Sequence, residues 1–164
     1  MWDEAFWAQA KSDWEMYAKL DETREPACHV LHYLQMATEK LGKAYLMARG
    51  TDVGDVQTSH QAFTQFLRLA ARNGKVQRKL GMTAAQLRAH VRRLLPIAHA
   101  VEKLAPALAA GSVNAEYPWS TPQGAIVAPI RHSFALSRML EGANGRNLLK
   151  LVEAVLENFF YIAS

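Results

Sequence analysis

The sequence predicts an all-α fold, an up-and-down bundle of about five helices with a long loop inserted before the last one. Three observations predict it. Apolar residues recur at three- and four-residue steps along almost the whole chain, which is the helical period. Glycine, proline and capping residues break that period at a few places, so most links between helices are short. Of the 164 residues, 50% are hydrophobic and 21% charged, the balance of a globular domain and not of a disordered chain. One domain over residues 1–164 is expected.

The first helix runs from about Trp2 to Leu20, with Trp2, Phe6, Ala10, Trp14 and Tyr17 on one face and Trp7 off that stripe. Asp3 and Glu4 sit in its first turn, where the helix dipole favours negative charge. A second helix opens at Pro26 and stops at Gly50; its seam is Val30, Leu34, Ala37, Leu41, Ala44 and Ala48. Gly42 inside it costs about 1 kcal/mol relative to Ala, a cost offset by close approach of another helix. Thr58 or Ser59 caps a third helix through Phe63, Phe66, Leu67 and Ala70, which Asn73-Gly74 ends; a basic connector follows. Thr83 and Gln86 form a capping box that opens a fourth helix through Leu87, Val91, Leu94, Ala98, Val101 and Leu108, kinked at Pro96 and closed by Gly111. The loop insertion spans about residues 112–144. It contains Tyr117-Pro118-Trp119, a brief helix near Phe134 to Leu140, and a turn at Gly142-Ala143-Asn144-Gly145. The last helix, Arg146 to Ala163, buries Leu148, Val152, Val155, Phe159 and Ile162.

No apolar run reaches the ~20 residues that a membrane-spanning helix needs. Met1-Trp2-Asp3-Glu4 has neither the basic start nor the apolar stretch of a secretory leader, and Cys28 is the only cysteine. A cytoplasmic protein without membrane contact is expected. The net charge of +4 hides an asymmetry: from Val56 to Val101 there is no acid, against eight bases, Arg68, Arg72, Lys75, Arg78, Lys79, Arg88, Arg92 and Arg93. Such a segment either presents a positive face to phosphate-bearing ligands or pairs with the acidic first 55 residues, within the chain or across a dimer.

The stretch Gln35-Met36-Ala37-Thr38-Glu39-Lys40-Leu41-Gly42-Lys43-Ala44, followed by His60 at the head of the third helix, resembles the HEPN superfamily, the higher eukaryotes and prokaryotes nucleotide-binding domains. The run Val101-Glu102-Lys103-Leu104 through Asn114-Ala115-Glu116-Tyr117-Pro118-Trp119 is similar to a passage in some of its members. The resemblance implies a four- or five-helix bundle that dimerises. It also implies one of two kinds of activity: a metal-independent ribonuclease of toxin–antitoxin or defence systems, or an inactive module that binds nucleotides, RNA or proteins. The ribonucleases of that superfamily carry an Arg, a polar neighbour and, four to six positions on, a His near the start of the last helix. Arg146-Asn147 stands where that motif begins, but Leu151 and Val152 occupy the positions due to His, and Val152 belongs to the core stripe.

Arg93 to His99 and Arg24 to His29 match the Arg-to-His spacing by count alone. Cys28, His29 and His32 share the start of the second helix, and a metal there needs a further ligand such as Glu39 or His60; polar core or capping residues are the plainer reading. Tyr117 and Trp119 with Arg131 and His132 form an aromatic and basic patch suited to stacking on a nucleotide, or else they pin the loop. The expectation is a non-catalytic, homodimeric HEPN-like module without cofactor. Its ligand is a nucleotide, RNA or a protein such as a nucleotidyltransferase-like chain, bound through Arg88, Arg92, Arg93, Tyr117, Trp119 and Arg131. One alternative is a ribonuclease with a relocated site using Arg146, Asn147, His99 or His132; another is a purely structural interaction subunit.

Overall fold

Residues 1–164 are described by a computed structural model. Helix α1 (Trp2–Glu22) and helix α2 (Ala27–Ala48) pack side by side along their length as a helical hairpin. Arg24 turns the link with a left-handed φ of 56°, and Pro26 stands just before the first residue of α2. A short helix α3 (Val53–Thr58) is followed by α4 (Ala62–Ala70), α5 (Gly74–Leu80), α6 (Ala84–Glu102) and the single turn α7 (Pro106–Ala109). Strands β1 (Trp119–Ser120) and β2 (Ile126–Val127) make a small antiparallel hairpin, and a 3₁₀ turn follows at Pro129–Arg131. Helices α8 (Ala135–Glu141), α9 (Ala143–Glu157) and α10 (Phe159–Ala163) complete the all-α bundle. No helix is long and apolar enough to cross a membrane.

Helix α2 is the axis, packed on α1, α4 and α6, while α9 closes the far side against α6 and α8. One continuous core holds 34 buried residues, among them Leu34, Leu41, Phe63, Phe66, Leu94, Val152 and Phe159. Gly42 is where α2 meets the start of α4: a Cβ there would lie 2.4 Å from the Ala62 carbonyl oxygen, so only glycine allows the crossing. The charged side chains of the Gln35–Ala44 segment tie the helices together. Lys40 Nζ lies 2.5 Å from Oδ2 of the buried Asp13 on α1, and Lys43 Nζ lies 2.8 Å from Glu39 Oε1. Gln35 donates to Glu39 Oε2 at 2.6 Å, and Lys43 donates to the Gln57 carbonyl at 3.1 Å. These partners hold α1, α2 and α3 to one another.

The observed elements correct several expectations. Thr58 and Ser59 do not cap α4; Asp52 caps α3 by accepting from Gly54 N–H, and Thr58 bonds back to the carbonyl of Gly54. Asn73 starts a helix where a stop was expected: its side-chain oxygen accepts from Lys75 and Val76 N–H, and the basic connector is α5. Helix α6 opens on the expected Thr83/Gln86 capping box and runs through Pro96, but ends at Glu102, short of Leu108. The cause is Pro106, which holds Ala105 extended (ψ 129°) and opens α7. Gly142-Ala143-Asn144-Gly145 is not a four-residue turn. Gly142 alone joins α8 to α9, and Gly145 lies inside α9, where a Cβ would strike the Met139 carbonyl. Trp2 is exposed, with its ring tilted against that of Phe6. Trp7, off the expected stripe, donates its indole N–H to the Leu156 carbonyl at 2.9 Å and stacks on Phe159.

Candidate functional site

Helix α6 has about 3.6 residues per turn, so Arg88, Arg92, Leu95 and His99 fall on one stripe at steps of four, three and four. Opposite it stand Arg68, near the end of α4, and Arg72, in the turn that follows α4. Between the two helices lies an open groove of about 380 Å³, its apolar floor made by Leu69, Ala71, Val91 and Leu95 and its walls by Arg68, Arg72, Arg88 and Arg92. No carboxylate lines it. None of the eight Lys/Arg between Val56 and Val101 forms an ion pair within the chain, so the acidic first segment does not neutralise this face. Four guanidinium groups around one depression create a local positive potential suited to phosphate oxygens. A second basin of about 480 Å³ adjoins it and shares Leu69 and Arg72; Arg49, Lys75 and Arg78 extend the basic surface there.

At the C-terminal end of the α6 stripe, His99 is half-exposed and joins the two helices. Arg68 Nη2 lies 3.4 Å from His99 Nε2, and because Arg only donates, Nε2 is the accepting nitrogen. That tautomer places the ring N–H at Nδ1, 3.7 Å from Glu102 Oε2. Glu102 is 4% exposed and accepts from the Thr64 N–H at 2.8 Å and the Thr64 hydroxyl at 3.0 Å. Burial pushes its carboxyl above the ordinary value, against the pull of the Thr64 donors and His99. A buried carboxylate backs an imidazole whose other nitrogen meets an arginine at the groove's mouth. That arrangement suits proton transfer as well as anion binding.

The other expected residues are dispersed. Arg93 points away from the groove, into a depression with Leu80, Met82 and His90; burial, and then the Arg93 charge, lower the pKa of His90. Arg146 donates to the Glu141 carbonyl and lines a pocket with Tyr17 and Asp21, with no hydrogen bond to any histidine. Asn147 beside it is half-buried, and Leu151 and Val152 are 1% and 0% exposed, filling the core where the His of the resembled motif would stand. Trp119 is buried edge-on against His132 at 5.0 Å, and His132 in turn packs edge-on against Phe134 at 4.8 Å. The Trp119 ring therefore pins the loop and offers no stacking face, whereas Tyr117 and Arg131 are exposed. Cys28 is buried, and no three His, Cys, Asp or Glu side chains converge as metal ligands. His32 instead meets Glu116 of the loop at 3.5 Å, and His60 meets Glu39 at 3.7 Å.

Arg68 and Arg72 were visible in the sequence only as members of a basic segment, and Glu102 and Thr64 carried no signal of their own. Docking of α4 on α6 brings them together. Comparison with family models, with curated proteins and with solved structures gives no match.

Proposed function

We propose that this chain is a HEPN-like module that binds a nucleotide or RNA in the α4–α6 groove, acts as a homodimer and performs no catalysis. The observation that carries the reading is the groove itself: Arg68, Arg72, Arg88 and Arg92 converge without a carboxylate or an ion pair. Unpaired arginines beside an apolar floor supply both phosphate contacts and a surface for a base. The absence of catalysis is supported by Leu151 and Val152, which commit the position of the family's imidazole to the core. Fluorescence titration with short single-stranded RNA and with mononucleotides tests it. Arg88→Glu/Arg92→Glu weakens binding at least about tenfold while Arg93→Glu leaves most of it; binding undiminished by the double reversal, or none in the wild type, removes the ligand from the groove.

A relocated ribonuclease is the second reading, favoured by the His99–Glu102 pair beside Arg68. His99 Nε2 would take the proton of an RNA 2′-hydroxyl as its oxygen attacks the adjacent phosphorus, with Arg68 against the phosphoryl oxygens. The P–O5′ bond breaks to leave a 2′,3′-cyclic phosphate, and the proton taken by His99 passes to the departing 5′-oxygen. Cleavage in the presence of chelator that is lost in His99→Ala would establish this reading; intact RNA at high protein concentration rejects it.

A further inference from the structure

A pocket of about 250 Å³ opens between α1, α2, α8 and α9 and shares no lining residue with the basic groove. Its floor is aliphatic, with Leu31 and Leu140 both buried. Its rim carries charge of both signs: the Arg146 guanidinium on one element, and the Asp21 and Glu141 carboxylates on two others. None of the three is in an ion pair within the chain. The Arg146 guanidinium is itself oriented by donating one N–H to the Glu141 backbone carbonyl, which leaves its other donors free.

Tyr17 supplies the second, independent observation. Its side chain lines the pocket and is 6% exposed, yet its hydroxyl has no hydrogen-bond partner in the protein and is not among the polar atoms sealed from solvent. A phenol this deep that keeps an open hydroxyl reaches solvent through the pocket it lines, and polar groups so placed are normally satisfied. Burial and the Asp21 carboxylate push its pKa well above the ordinary value, so it remains a donor at neutral pH. The volume is below the ~300–1,000 Å³ of sites for drug-sized ligands.

We propose that this pocket binds a small zwitterion of the α-amino-acid class with an aliphatic side chain. The carboxylate meets Arg146 and the Tyr17 hydroxyl, the ammonium group lies toward Asp21 and Glu141, and the side chain rests on Leu31 and Leu140. Nothing here depends on RNA binding in the α4–α6 groove.

Leucine is the probe. The Trp14 ring lies 5.0 Å from that of Tyr17, so occupancy alters tryptophan emission, and saturation raises Tm. Two analogues each remove one charge: 3-methylbutylamine lacks the carboxylate, and 4-methylpentanoate lacks the ammonium. Leucine binds at least about tenfold more tightly than either, and Tyr17→Phe and Arg146→Gln each lose about tenfold while keeping the unliganded Tm near that of the wild type. No saturable change up to ~10 mM leucine, an analogue binding as well as leucine, or indifference to both substitutions overturns the assignment.

Discussion

Gly42 and Glu102 are single residues on which the α4 side of the bundle depends. Gly42→Ala would force the Ala62 backbone aside, since the added methyl would sit 2.4 Å from its carbonyl oxygen. Overpacking of this kind costs about 1–3 kcal/mol, read as a fall in the urea midpoint without a change in slope. Glu102 gives a pH signature. Its folded pKa is raised above the unfolded value by burial, so its contribution is fully present below the unfolded pKa and lost as pH rises through the folded one. His99, the titrating group that faces it, favours the charged carboxylate and opposes this trend. Glu102→Gln, which keeps one acceptor oxygen for the Thr64 N–H, should therefore flatten the decline of Tm as pH rises above the ordinary carboxylate range; an unchanged pH profile would contradict it. Val152 is 0% exposed, so Val152→His places an imidazole in the core. It costs on the order of 3 kcal/mol by denaturant unfolding and creates no ribonuclease activity.

Among the elements, α5 is the one whose stability rests on its cap. Asn73 caps it through the side-chain oxygen and donates its amide N–H groups to the Tyr45 hydroxyl at 2.8 Å and the Ile162 carbonyl at 3.0 Å. Asn73→Ala removes the cap and both tertiary bonds, and a loss of about 2–3 kcal/mol in thermal unfolding is expected. The same residue explains why α5 was illegible in the sequence. Asn followed by Gly serves as a helix stop as readily as a start, and which one applies depends on Tyr45 and Ile162, far away in the chain. Helices α1, α2, α6 and α9 were legible because each presents a long apolar stripe, and α6 also carries its capping box. The hairpin of β1 and β2 was not: strands of two residues are too short for a period-two pattern. The break between α9 and α10 at Asn158, whose side chain bonds back to the Ala154 carbonyl at 2.7 Å, interrupts no apolar stripe and so left the last helix looking continuous.

At the scale of the whole molecule, the asymmetry of charge along the chain becomes an asymmetry of surface. Half of the groove was legible, because Arg88 and Arg92 stand one helical turn apart in the basic segment and were expected to bind ligand. The other half required α4 to dock beside α6 in a register that brings Arg68 and Arg72 opposite them, which no local pattern encodes. The reverse held for Arg93 and Arg146, grouped by sequence with the basic segment and with the ribonuclease motif but turned by the helices into other depressions. The salt dependence of RNA binding tests the groove most directly, because each phosphate neutralised releases counterions. If the four groove arginines each meet a phosphate of a single strand, log Kd changes with log salt by a slope of about 3, and Arg88→Glu/Arg92→Glu cuts that slope by at least about half. A wild-type slope near zero, or a slope that persists unchanged in the double reversal, would contradict the groove as the binding site.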